Sequence, residues 1–165
     1  MSESLYISYI YMSGLYRWAP PTWIFFHTFA AKVNKQFFEA NRDQCLSIIK
    51  MTCSSLPCPE CAGHATTFMK TVNGNNVKTK EDLINMLFTF HNTVNRRVGK
   101  AQFTKESLVM YNSYRIDVAL VNFIKGYSAK YGSIMSGIIS TLGKRRSTAK
   151  AILNWMQTNW KYFQT

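Results

Sequence analysis

Leu56-Pro57-Cys58-Pro59-Glu60-Cys61 is the stretch on which the reading of this chain turns. Two cysteines separated by two residues form a redox dithiol, half of a metal site, or a chance spacing. What precedes them narrows the choice of fold. Asn41 or Asp43 is a helix cap, and Leu46, Ile48, Ile49 and Met51 form an apolar helical stretch that ends near Ser54-Ser55. A thioredoxin-like dithiol would instead follow a strand in a βαβ unit. Pro59 is suited to the first turn of the next helix, which places Cys58 at its N-cap and carries the helix through Ala62, Ala65, Phe68 and Met69. A helix N-terminus stabilises a thiolate and lowers the pKa of a cysteine placed there. The spacing therefore predicts a small disulfide loop at a helix start. Cys58 is expected at the exposed turn, exchanging with incoming thiolates, and Cys61 more buried, facing a cofactor.

Working outward, the pattern stays helical. Pro20-Pro21 reads as a helix start followed by Trp23, Phe26, His27, Ala30, Ala31 and Val33. Asn73-Gly74-Asn75-Asn76 is a loop. Thr79 with Asp82 resembles a capping box, and opens a helix with Leu83, Ile84, Met86, Leu87, Phe90, Val94 and Val98 that Gly99 ends. A short segment runs from Thr104 to about Tyr111. Residues 114–133 and 147–163 read as two more helices, joined by a Gly/Ser-containing stretch that holds Lys144-Arg145-Arg146.

The chain has 165 residues, 47% of them hydrophobic, enough for one core. Its net charge of +12 is uneven. Residues 1–111 hold 12 basic and 7 acidic side chains, residues 112–165 hold 8 and 1. The plain reading of the basic tail is a solvated face; the sharper one is contact with nucleic acid or an anionic membrane. No run spans a bilayer, and the start lacks a basic secretory n-region. A cytosolic setting follows, in which a CxxC is metal-binding or catalytic rather than structural. The four cysteines, Cys45, Cys53, Cys58 and Cys61, are poorly spaced for zinc, having one close pair and no His-x(3–5)-His partner. Cys45 and Cys53, eight residues apart in one helix, lie about 12 Å apart and cannot bridge each other. Both read as buried thiols, with a relay or cross-linking role for Cys53 as the alternative.

His91 and Asn95 are i,i+4 on one helix, as are Trp23 and His27 on the first. Alone, each pair is more often structural. Together they offer flat walls and directed polar groups, with Arg96, Arg97 and Lys100 following, the set that a heteroaromatic ring carrying a diphosphate requires.

In combination these segments resemble the Erv/ALR family of FAD-linked sulfhydryl oxidases. The residues are Trp18-Ala19-Pro20-Pro21-Thr22-Trp23-x-x-x-His27-Thr28-x-Ala30-Ala31, then Leu56-Pro57-Cys58-x-x-Cys61, then His91-Asn92-x-Val94-Asn95-Arg96-x-Val98-Gly99-Lys100. The match runs from residue 18 to about 111, and the short members from large DNA viruses are nearest in style. The resemblance implies an all-α fold, a four-helix bundle plus a short fifth helix cradling FAD, with additional C-terminal helices. It implies a sulfhydryl oxidase core over 1–112 and a basic extension over 113–165, packed on the core or a dimer partner. Cys58 and Cys61 would be the redox pair, with Cys61 proximal to the flavin. Trp23, His27, His91, Asn92, Val94, Asn95, Arg97 and Lys100 match FAD-contacting positions, and Tyr111 matches an aromatic position near the adenine.

The implied activity passes electrons from substrate dithiols through FAD to dioxygen, releasing hydrogen peroxide. The implied partners are thiol-containing substrate proteins, a viral thioredoxin-like protein among the candidates, and a second copy in a homodimer. The implied location is host cytoplasm and virion. The competing reading from another class is a basic nucleic-acid-binding module with the CxxC as a metal knuckle. The chain departs from the family in three ways: Ala19 replaces a Gly, no shuttle CxxC lies outside the core, and no cysteine follows Cys61.

Overall fold

A computed structural model describes the backbone of residues 3–131 and 136–163, and the side chains of 17–131 and 141–163. Seven α-helices and two 3-10 turns are described: α1 (Glu3–Lys32), α2 (Lys35–Ala40), α3 (Arg42–Cys53), α4 (Pro59–Met69), α5 (Lys80–Arg97), a 3-10 helix (Glu106–Asn112), α6 (Ile116–Tyr127), α7 (Ser136–Thr158) and a last 3-10 turn (Trp160–Tyr162). No strand occurs among them, so the all-α reading holds.

The local signals around the dithiol act as expected. Cys58 is the N-cap of α4 with Pro59 at its start. Thr79 and Asp82 close a reciprocal capping box on α5. Gly99 takes a left-handed φ of 69° just past the C-cap of α5, where a side chain would be strained. The 3-10 helix at Glu106 falls where the short fifth segment is expected.

Two expectations fail, and one helix goes unpredicted. Pro20-Pro21 do not open a helix; they lie inside α1, which is already helical from Glu3. A proline cannot donate to the carbonyl one turn back, so Pro21 leaves the Arg17 carbonyl without its ladder partner. Gly126 of α6 lies against that carbonyl, and a Cβ built there would sit 2.6 Å from it. α6 can press so closely on α1 because residue 126 has no side chain. The helix α2 is also new. Asn34 caps it by accepting from the Phe37 amide at 2.9 Å, but six residues are too few to show a period. Finally, Lys144-Arg145-Arg146 belong to helix α7 rather than to a link before it.

α1 and α5 run antiparallel, with Lys80 donating to the Ala31 carbonyl at 2.8 Å. The packing of α6 along α1 is the most extensive between any two described elements. There Phe25 and Phe123 stack at 4.6 Å, a pair that adds about 0.5–1.5 kcal/mol beyond its burial. Leu120, Phe123, Ile152, Met156 and Phe163 share one apolar cluster with Phe25, Phe29, Leu46 and Leu87. The chain's last turn reaches α2, where Phe37 stacks on Tyr162 at 4.1 Å. Phe163 bridges to Val33, and the Asn34 amide donates to the Tyr162 carbonyl at 2.7 Å.

Arg145 overturns the view of the basic cluster as a continuous solvated face. It is fully buried, whereas Lys144 and Arg146 are exposed. Its Nη1 donates to the carbonyls of Tyr127 at 2.8 Å and Ala129 at 2.9 Å. These lie at the negative end of α6, which suits a cation. The guanidinium also sits 5.7 Å from the Tyr131 ring centroid. No helix among the described residues is long and apolar enough to cross a membrane.

Candidate active site

Cys58 and Cys61 form a disulfide with a Cα–Cα separation of 5.1 Å. The Cys61 amide donates to Cys58 Sγ at 3.1 Å, the side-chain cap of α4. The exposure order differs from the sequence expectation. Cys58 is only 4% exposed, whereas Cys61 is half-buried. The cause is the turn ahead of α4: Leu56 and Pro57 are buried with Cys58 in the core, and the chain emerges only at Pro59 and Glu60.

Glu60, between the two cysteines, accepts from Arg97 of α5 at 2.9 Å and lies 3.7 Å from His64. This pair brings the end of α5 to the start of α4. One turn back from Arg97, α5 presents Val94, half-buried, then Asn92 and His91. Trp23 of α1 stacks on His91 with ring centroids 4.0 Å apart and planes 6° from parallel. His27, one turn along α1, places Nε2 3.0 Å from His91 Nδ1 and stacks on Tyr111 at 4.8 Å. Thus α1, α5 and the 3-10 helix bring Trp23, His27, His91 and Tyr111 into one aromatic cluster. Beside it, His27, Ala30, Ala31, Ile84, Leu108 and Tyr111 line a cavity of about 140 Å³. Ala30 and Ala31 contribute only methyl groups to its lining.

Both imidazoles are neutral near pH 7. Burial, aided by the neighbouring His91, lowers His27 to about 3. Burial, aided by Lys100, lowers His91 to about 4. A hydrogen bond between two neutral rings needs one to donate and the other to accept, so the pair fixes complementary tautomers. Burial also raises the Tyr111 phenol to about 12.

Asn92 has a role that spacing did not reveal. Its side-chain amide donates to the Phe103 carbonyl at 2.8 Å and accepts from the Phe103 amide at 2.7 Å. Phe103 thereby lies against both His27, at 5.6 Å, and His91, at 5.2 Å. Sequence reasoning passed over Phe103. The available signal was a lone aromatic between Gly99 and Glu106. Phe90, which packs edge-on against Trp23 at 5.0 Å, was read only as core. Asn95 is half-buried one turn past His91, and Arg97 and Lys100 are exposed at the rim.

Cys45 and Cys53 are free and buried, with their thiols pushed up by desolvation, Cys45 to about 12. Among the described residues no group of three or more His, Cys, Asp or Glu side chains could hold a metal.

Comparison with known proteins agrees with this geometry. Residues 20–115 match the Erv1 / Alr family. Over 85 residues the chain is 31% identical to "FAD-linked sulfhydryl oxidase ERV1" of Arabidopsis thaliana, covering 52% of this chain and 44% of that protein. Over 93 residues it is 32% identical to "Putative FAD-linked sulfhydryl oxidase 347L" of Invertebrate iridescent virus 6, covering 50% of this chain and 80% of that one. The match thus spans less than half of the plant relative. No solved structure matches. With a family match over more than half of its length, on the segment that holds the disulfide and the aromatic cluster, this chain belongs to the Erv1 / Alr family.

Proposed function

We propose that the chain is an FAD-linked thiol oxidase, which forms disulfides in thiol-bearing proteins at Cys58–Cys61 and delivers the electrons to dioxygen. The observation that carries this reading is the disulfide at the start of α4, joined through Glu60–Arg97 to the helix that bears His91, Asn92 and Asn95.

The residues present fit a planar heteroaromatic group with a diphosphate. Trp23, His27, His91, Phe103 and Tyr111 supply flat neutral walls, and Ala30 and Ala31 leave room beside them. Val94 and Asn95 are half-buried on the helix that bears His91, while the exposed Arg97 and Lys100 supply cations nearby. Asn92 serves by holding Phe103 in place. When bound, FAD supplies a two-electron acceptor that dioxygen reoxidises, giving hydrogen peroxide.

The protein's own part is thiol–disulfide exchange. A substrate thiolate attacks Cys58 Sγ, the Cys58–Cys61 bond breaks, and Cys61 leaves as a thiolate. A second substrate thiolate then attacks the substrate sulfur of the mixed disulfide, and Cys58 leaves. The substrate has lost two electrons and two protons, which now reside on the cysteine pair or its solvent. The Cys58 thiolate is a good leaving group at the N-cap, where the Cys61 amide and the positive end of α4 stabilise it. Because Cys58 is buried, exchange there asks the turn over residues 54–57 to yield on contact with substrate. The neutral imidazole pair holds its tautomers across the working pH range.

The visible spectrum of the purified protein tests this reading. The expected result is a bound oxidised flavin, with dithiothreitol oxidation coupled to oxygen uptake and peroxide release. Protein that stays colourless after incubation with FAD and consumes no dithiol would refute it.

A further inference from the structure

The turn ahead of the disulfide is held from a side that the family match does not reach. Residues 54–57 connect α3 to Cys58, and their polar groups meet the C-terminal helices. Ser55 Oγ lies 2.6 Å from the Tyr127 hydroxyl of α6, and both side chains are buried. Ser55 Oγ also donates to the Met51 carbonyl at 3.1 Å, and the Tyr127 hydroxyl lies 3.4 Å from the Thr52 carbonyl. Two hydroxyls have two protons. The shorter contacts are satisfied together when Tyr127 donates to Ser55 and Ser55 donates to Met51. Beside this, Lys144 of α7 donates to the Ser54 carbonyl at 3.2 Å. Arg145 then fixes Tyr127 itself by donating to the carbonyls of residues 127 and 129. A continuous chain of contacts thus runs from α7, through Tyr127, to the turn, and from the turn into Cys58.

We propose that Tyr127, backed by Lys144 and Arg145, is a positioning residue for the Cys58–Cys61 disulfide, so that the C-terminal helices set how readily the disulfide opens. The physical reason is conformational. The disulfide, with its Cα atoms 5.1 Å apart, tolerates only separations up to about 6.8 Å, whereas two thiols are not so bound. A turn pinned by buried hydrogen bonds keeps the closed geometry in reach and denies the dithiol the freedom it would gain. Releasing the pin favours the dithiol. The inference rests on Cys58–Cys61 being the redox pair of the proposed function, and it adds a set-point that the family-matched segment does not contain.

The test is the thiol–disulfide equilibrium of the full-length, flavin-bearing protein in anaerobic dithiothreitol buffers. In each reduction the reagent's two thiols become one ring disulfide, and Cys58 and Cys61 gain its two electrons and two protons. After quenching and alkylation, the tryptic peptide of residues 51–70 carries three alkyl groups when reduced and one when the disulfide is intact, because it also holds Cys53. Tyr127→Phe, which removes one hydroxyl, is expected to shift the equilibrium toward the dithiol by about 3- to 10-fold, the scale of a single buried hydrogen bond. Ser55→Ala removes the same contact from the other side and should shift it in the same direction by a smaller factor, since the Tyr127 hydroxyl keeps Thr148 and the Thr52 carbonyl as partners, and it keeps the test open should Tyr127→Phe fold poorly. Lys144→Gln should shift it by less than about 2-fold, since that contact is exposed, and Lys144→Arg should restore it.

Asn41→Ala is the control. Its side chain donates to the Phe37 carbonyl at 2.9 Å, at the opposite end of α3 from the turn. It should lower the melting temperature and leave the equilibrium in place. An unmoved equilibrium in both Tyr127→Phe and Ser55→Ala, or an equal shift in Asn41→Ala, would overturn the proposal. An equilibrium that shifts as expected in a protein that never turns over dithiol would sink the oxidase reading and leave this one standing.

Discussion

The disulfide is supported from two sides of opposite character. On the α5 side, Glu60 and Arg97 form an ion pair in solvent. On the α6–α7 side, Ser55 and Tyr127 meet in the core, with a buried arginine behind them. Solvent screens the first pair, and exposed pairs of this kind contribute about 0–1 kcal/mol. The second contact cannot be replaced by water, so losing it leaves unsatisfied groups in the interior. The side that carries the recognisable residues is therefore the weaker mechanical support, and the side without a motif is the stronger.

Removing the motif-free side altogether should have the largest effect. Truncation after residue 112 deletes Ile116, Leu120, Phe123, Tyr127, Ile152, Met156 and Phe163, all buried. Each contributes about 1.5–3 kcal/mol of burial, and the seven together, about 10–20 kcal/mol, match or exceed the roughly 5–15 kcal/mol that holds a domain folded. The expected product is insoluble or lacks a cooperative unfolding transition. A truncated protein that melts cooperatively would show that residues 113–165 are an appended module.

The second test asks whether the group between the two supports is the reacting one. Cys58→Ser and Cys61→Ser should each lower dithiol turnover by about a thousandfold or more, while flavin remains bound, since the pair acts as a unit. Replacing both Cys45 and Cys53 with Ser should leave small-dithiol oxidation near normal, because neither buried thiol forms a thiolate readily. Turnover kept in the first pair of variants, or lost in the second, would reassign the chemistry.

These contrasts show what spacing reveals and what it conceals. The dithiol, its N-cap, the capping box and the α1–α5 cluster were legible, because each depends on residues close in sequence or on helical periodicity. Asn92 was singled out as a cofactor contact, whereas its observed partner is a backbone eleven residues away, and no period encodes that contact. The burial of Cys58 was misread, since exposure at a helix start depends on what packs over the preceding turn. Arg145 was misread for a similar reason. In sequence it is one of three adjacent cations, and only α6 makes it internal.

Arg145 supplies the third test. Arg145→Ala leaves two carbonyls at the end of α6 without a donor and a void beneath Tyr131, and should cost about 2–4 kcal/mol in denaturant unfolding. Arg146→Ala, on the exposed neighbour, should stay within about 0.5 kcal/mol. Equal effects would mean that burial does not separate them.

The aromatic side has a signature in acid, whereas burial shifts Tyr127 and Tyr131 on the C-terminal side upward, into the alkaline range. His27 and His91 resist protonation in the folded state, at about 3 and about 4, whereas an unfolded histidine takes up its proton near 6.5. Between these values the unfolded chain binds more protons, so stability is complete above about pH 6.5 and declines as the pH falls toward 4. Thermal melts should show this slope, and His27→Asn should flatten part of it. An unchanged slope would place the acid sensitivity elsewhere.

The smallest stability effect belongs to the exposed pair. Arg97→Gln should change unfolding free energy by no more than about 0.5 kcal/mol. If Arg97 also serves a diphosphate, flavin affinity should fall about tenfold in the same variant, measured by titration of the flavin-free protein. A large stability loss with unchanged flavin affinity would invert the contrast between the two supports.

The pairing of Val33 with Phe163 has a consequence for how the molecule is made. A chain synthesised from its N-terminus cannot close this contact until residue 163 has left the ribosome. Until then Phe29 and Phe37, which the last turn covers, stay open to other nascent chains or to a chaperone. Contacts between residues so distant in sequence also make late folding steps slow. The Val33–Phe163 contact is therefore among the later ones to become available, and before it closes the cysteines meet the redox conditions around the ribosome without the cover of the last turn.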